Sequence, residues 1–151
     1  MKKIFGILLA AVMLFAFAAC SSNSENEAPA DDGQNPVMNF IGDYACDRCS
    51  IHVEAEGDED AAVTIHWGSS AFDGSDWTMT GHFDPETLTV SYLDGVRVDR
   101  TYSEDGELQM ETIVYENGTG YFQFTEDLTL TWTDGMEHMA DDMVFSYVPV
   151  G

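Results

Sequence analysis

The sequence predicts an all-β protein: an antiparallel up-and-down meander of about eight to ten strands closing into a barrel, with a two-sheet β-sandwich as the alternative. Two observations carry this. Apolar and polar residues alternate with a period of two over most of the chain beyond Val37, and Asp-Gly, Asn-Gly or Asp-Pro pairs punctuate the pattern at short intervals. Connections this short join neighbouring strands antiparallel and leave no room for helical crossovers, and closure of the sheet removes exposed edges.

Along the chain of 151 residues the first element is a leader. Met1-Lys2-Lys3 is a short basic start, Ile4 to Phe17 is apolar without a charge, and Ala18-Ala19 precede Cys20. Phe17-Ala18-Ala19-Cys20 resembles the lipobox of bacterial lipoproteins, with Phe17 where that family usually carries Leu. The resemblance implies a signal peptide over residues 1–19, acylation (palmitate among the chains) at Cys20, and anchoring on the extracytoplasmic side of a bacterial cell membrane. Ser21 to Pro36 has no aliphatic residue larger than Ala and is rich in Ser, Asn, Glu, Asp and Pro, so residues 20–36 read as a disordered acidic tether.

Residues 37–151 form the predicted barrel domain. They hold all three Trp, all six Tyr and six of the nine Phe residues, enough large apolar surface for one core. Strands are expected near 39–46, 49–56, 61–68, 76–83, 87–93, 96–103, 107–116, 120–126, 128–133 and 143–148. Val63, Ile65 and Trp67 alternate with Thr64 and His66; Trp77, Met79 and Phe83 alternate with Thr78, Thr80 and His82; Leu128, Leu130 and Trp132 alternate with Thr129, Thr131 and Thr133. Each stretch has one face for the core and one Thr-rich face for water. The expected turns are Asp73-Gly74, Asp84-Pro85, Asp94-Gly95, Asp105-Gly106 and Asn117-Gly118. Asp134 to Asp142 is the one helix candidate, with Met136, Met139 and Met143 on one face after a cap at Asp134, a short plug for one barrel end.

Register sharpens this picture. Facing Trp67 with Trp77 pairs His66 with Thr78 and Thr64 with Thr80, and leaves His82 opposite Ala62, so the two histidines stand too far apart to share a metal. A three-residue loop with a bulge at Gly95 pairs Tyr92 with Val98 and Val90 with Arg100. Arg100 then points inward. With Trp67 and Trp77 it is the candidate ligand-binding set, a guanidinium ready for a carboxylate or phosphate; alternatively Arg100 reaches solvent or pairs with an Asp or Glu of the chain.

The 28 Asp and Glu against 5 Lys and Arg give a formal charge of −23, which excludes a nucleic-acid binder working through a basic surface. Loss of residues 1–19 takes Lys2 and Lys3 and leaves Arg48, Arg97 and Arg100 against the same 28 acids, a balance of −25. Such a chain is repelled by anionic headgroups and attracted to basic proteins.

Cys46-Asp47-Arg48-Cys49 flanks a two-residue turn and is the disulfide candidate. Redox-active thiols are a second reading, and a metal site with His52 a third, although His52 and Cys49 differ by an odd number along a strand and face opposite ways. The acidic runs at Glu54 to Asp60, Asp73 to Asp76 and Asp141-Asp142 lack the spacing of a calcium loop and read as solvated loops. Met136-Glu137-His138-Met139 offers soft ligands but reads as lid packing. No metal or cofactor is expected. With no nucleophile elbow, HExxH or phosphate loop in the sequence, neither is an enzyme.

Tyr44-Ala45-Cys46-Asp47 with Ile51 and Val53, and Gly118-Thr119-Gly120-Tyr121 with Trp132-Thr133-Asp134-Gly135, resemble the membrane-bound lysozyme inhibitors of c-type lysozyme. That family consists of small bacterial lipoproteins folded as an eight-stranded antiparallel barrel. The resemblance implies a lipocalin-like or lysozyme-inhibitor-like barrel and a partner loop at Asn117, Gly118, Thr119, Gly120 and Tyr121; the family's lysine before the later glycine stands here as Asp134. Two functions are expected from these readings: a monomeric, tethered module binding a small ligand or a basic protein, or an inhibitor of a basic cell-wall hydrolase.

Overall fold

The structure is a computed structural model that describes residues 33–151; the expected signal peptide, Cys20 and most of the expected tether lie outside the described residues. It is an all-β, antiparallel meander of eight strands: β1 (Gly42–Cys46), β2 (Cys49–Glu56), β3 (Asp60–Gly68), β4 (Asp73–Asp84), β5 (Thr89–Tyr102), β6 (Leu108–Phe124), β7 (Thr129–Asp134) and β8 (Val144–Val148). Each strand pairs with the next, and β1 pairs with β8, so the hydrogen bonding closes into a ring.

Eight strands replace the ten expected segments because two of the expected turns are not turns. Asp94-Gly95 lies inside the 14 residues of β5 and Asn117-Gly118 inside the 17 residues of β6. Asp73-Gly74 opens β4. Asp84-Pro85 and Asp105-Gly106 do turn the chain, the latter with Gly106 at φ 81°. A dipeptide that suits a tight turn also suits a bulge, and the register shifts between Tyr92 and Arg97. At that point the carboxylate of Asp94 accepts from the backbone N–H of Thr80 at 3.1 Å, where the β4–β5 ladder is interrupted.

The β3–β4 register also differs from the expectation. Trp77 stands opposite Ile65 and Trp67 opposite Ser75, a slip of two residues that leaves every side chain on its expected face because the pleat repeats every two. The connection is the four-residue Ser69–Phe72, held by Ser69 and Ser70 donating to the Asp73 carbonyl at 2.9 and 3.1 Å.

The inner faces make one core. Tyr44, Ile51, Val63, Ile65, Trp77, Phe83, Phe122, Phe124, Leu130, Trp132 and Phe145 are all fully or almost fully buried, and each such side chain contributes roughly 1.5–3 kcal/mol through burial. Phe40 leans on Phe83 and Phe124 with centroids 5.6 and 5.2 Å apart. It follows a 3-10 turn, Pro36–Asn39, whose Val37 is buried completely. Asn35, assigned by composition to the tether, caps that turn, and its amide donates to the Asp60 carbonyl at 2.7 Å. The folded region therefore begins before Val37. The 134–142 segment is a run of turns rather than a helix. Asp134 does cap it, accepting from Met136 and Glu137 N–H at 3.0 and 3.1 Å. Ala140 is fully buried and Met143 packs against the core, whereas Met136 and Met139 are exposed.

Candidate functional site

The two parts of the ring with unusual chemistry both derive from the bulges. Tyr92 and Gly95 are buried three residues apart, an odd step that reverses the alternation of β5. Arg97, not Arg100, is thereby carried to the inner side. Its guanidinium lies over Trp77, 5.0 Å from the ring centroid, with its side chain only 12% exposed. Nε donates to Asp99 at 3.0 Å, Nη2 to Ser75 Oγ at 3.2 Å, and Nη1 to Glu137. Ser75 in turn donates to Asp99 at 2.6 Å.

Arg100 points to the outer side, where it donates to Asp76 and, at 2.8 Å through Nε, to Glu111. The expected inward Arg100 is thus corrected, and its reading as a partner of native carboxylates matches the geometry. Both arginines border a groove of about 340 Å³ that also touches Ser75, Asp99, Thr101 and Met110. Each guanidinium already faces two carboxylates. With four carboxylates to two guanidinium groups, the groove is not a vacant anion site.

Trp67 and Trp77 do come together, with centroids 6.5 Å apart, and Trp77 meets Trp132 edge-on at 5.3 Å. Trp77 is 1% exposed. Its indole N–H donates to Tyr115 Oη at 2.9 Å, and that of Trp132 to Tyr92 Oη at 2.9 Å. Burial pushes the Tyr92 phenol up to about 12 and that of Tyr115 upward as well, so both stay protonated at neutral pH. Sequence reasoning missed Arg97, Tyr92 and Tyr115 as one constellation, because the reversal of β5 around Gly95 shows only in its pairing with β6.

Cys46 and Cys49 are directly opposed across the Asp47-Arg48 turn, with Asp47 at φ 53°. Burial, then the neighbouring Cys46, pushes the Cys49 thiol up to about 12. Residues Asn117 to Tyr121 form no loop. They run within β6, where Gly118 faces Gly95 and Gly120 faces both Tyr92 and Asp134. The expected partner loop is therefore strand, a correction with a steric reason: a Cβ on Gly120 would lie 2.3 Å from the Thr133 carbonyl.

All four histidines meet carboxylates: His52 with Asp43 at 2.7 Å and Glu54 at 3.2 Å, His66 with Asp76 at 2.7 Å, His82 with Asp60 at 3.2 Å and His138 with Asp141 at 3.3 Å. His66 and His82 sit at opposite ends of the β3–β4 ladder. Among the described residues no group of three His, Cys, Asp or Glu side chains is placed to hold a metal ion.

The ring closes at one end of β6 alone. Gly120–Phe124 pairs with β7, whereas Leu108, Met110, Glu111, Thr112 and Ile113 are paired with β5 alone. Leu108, Met110 and Ile113 are at least half exposed there and Val114 is 43% exposed. No protein-family model, curated protein or solved structure matches the chain.

Proposed function

We propose that this chain is a bacterial surface lipoprotein, anchored through Cys20, whose eight-stranded ring is a lipocalin-like or lysozyme-inhibitor-like barrel serving as a non-catalytic, monomeric binding module. One observation carries the mode of binding: Trp77, Trp132, Phe122, Phe124 and Tyr44 fill the inside of the ring, so recognition falls to the outer surface and its edges. The formal charge of −23 favours encounter with a basic protein over nucleic acid or anionic lipid. Arg100, Trp67 and Trp77 then serve the architecture, since two are engaged by carboxylates or aromatic neighbours and Trp77 is buried.

Inhibition of a basic cell-wall hydrolase is the second reading. It is favoured by the strand count and ring closure together with the acidity, and it requires a contact surface other than residues 117–121. Calorimetric titration of the chain with c-type lysozyme, and with an unrelated basic protein of equal charge, at about 0.15 M salt separates the readings, because screening there suppresses weak surface pairing. Saturable one-to-one binding of lysozyme alone supports the inhibitor. Saturable binding of the other protein supports a broader basic-partner module, and binding of neither removes lysozyme as the target. A Cys20→Ser variant that stays in the membrane fraction would overturn the anchor.

A further inference from the structure

The free edge of β6 is the feature that the ring does not use. In a closed sheet every strand has two partners, yet the stretch Leu108–Ile113 is paired on one side alone, with β5, through Leu108, Met110, Glu111, Thr112 and Ile113, and has no other backbone partner among the described residues. The opposite edge therefore presents a row of unpaired N–H and C=O groups, the arrangement that accepts an additional strand. Proteins usually blunt such an edge with Lys, Pro or a short strand. Here the edge is part of a 17-residue strand, contains neither Lys nor Pro, and exposes Leu108, Met110 and Ile113.

The charge around it selects the occupant. Glu104, Asp105 and Glu107 surround the β5–β6 turn, and Glu116 follows the apolar run. None of the four has an ion-pair partner among the described residues, whereas Glu111 is occupied by Arg100. Two copies of a chain at −23 would repel one another, and antiparallel self-pairing about Thr112 would set Glu116 of one copy against Leu108 of the other. A strand with alternating basic and apolar side chains lays its apolar face beside Ile113 on one side of the sheet, or beside Met110 on the other, and brings its charges to the acids.

We infer that the β6 edge at Leu108–Ile113 binds an extended basic segment of a partner protein by strand addition. This rests on the reading of the chain as a binding module and names the surface and the partner chemistry. Backbone hydrogen bonds supply the attachment, the apolar side chains fix the register, and the flanking acids select the sign of the partner's charge.

The test uses the intact chain in mild detergent and a peptide of alternating Lys and Val, with a second peptide of the same sequence N-methylated at alternate residues. Saturable binding of the first peptide at about 0.15 M salt, slowed amide exchange at residues 108–113, and loss of both with the methylated peptide are expected. An Ile113→Lys variant, on an exposed side chain, should keep the fold and lose binding. Equal binding of the methylated peptide, or binding unaffected by Ile113→Lys, means adsorption by charge alone and overturns the inference. Failure of the peptide while a whole basic protein still binds overturns strand addition but leaves the module reading standing. Concentration-dependent dimers by sedimentation, with the same amides protected and no peptide bound, assign the edge to a second copy instead.

Discussion

Gly95 of β5 lies directly opposite Gly118 of β6. A Cβ on Gly95 would approach the Gly118 Cα at 3.2 Å, and one on Gly118 would reach the Gly95 carbonyl oxygen at 3.0 Å and the Tyr115 ring at 2.8 Å. Here two glycines that each suit a turn let two long strands pass close together. Gly118→Ala should destabilise the fold by about 1–3 kcal/mol through overpacking, read as a lower denaturant midpoint at unchanged slope.

Tyr92 is the acceptor for the fully buried indole of Trp132. Tyr92→Phe leaves that donor without a partner and should cost about 1–3 kcal/mol. Tyr115→Phe should cost less, since Tyr115 is only partly buried and water can replace its oxygen at Trp77. Chemical denaturation followed by tryptophan fluorescence orders the two; an inverted order would refute the assignment.

Arg97 and Arg100 are three positions apart and therefore serve opposite faces. Arg97→Ala removes the contact over Trp77 and the bonds to Asp99, Ser75 and Glu137, and should cost about 1–3 kcal/mol. Arg100→Ala acts on a more exposed pair of bridges, and should stay within about 1 kcal/mol. The tryptophan emission should shift in the first variant and not in the second.

Cys46 and Cys49 are direct cross-strand partners, so an oxidant that takes two electrons and two protons from the thiols would join them as a disulfide. Protein isolated without reductant should therefore resist alkylation until reduced. Once reduced, Cys46 should alkylate first at neutral pH, because Cys49 is 1% exposed and its thiol is pushed up to about 12. Equal labelling of both cysteines in untreated protein would disprove the bridge.

The His52 imidazolium is favoured by hydrogen bonds to Asp43 and then Glu54, which raise its pKa above the ordinary value. A raised folded-state pKa gives stability that is fully present below the unfolded value of about 6.5 and is lost as pH rises through the folded value. Asp43→Asn should lower the titration midpoint of His52 in an NMR pH series and flatten the part of the stability change that falls in that window. An unmoved midpoint would remove Asp43 as the cause.

The period-two pattern by itself determined the all-β class, the faces of β3, β4 and β7, and the burial of Trp77 and Trp132, because alternation maps directly onto the two sides of a pleated strand. Charge was legible too, since it needs only counting. The pairing registers were not. Sliding β3 on β4 by two residues preserves every face, so composition cannot separate Trp77 opposite Trp67 from Trp77 opposite Ile65. Nor does an Asp-Gly or Asn-Gly pair say whether the chain turns or bulges. That choice depends on what lies across the sheet: for Gly95 it is Gly118, and for the neighbouring Asp94 it is the Thr80 amide. Only the tertiary structure decided it, and with it which arginine faces inward and which strand edge stays open.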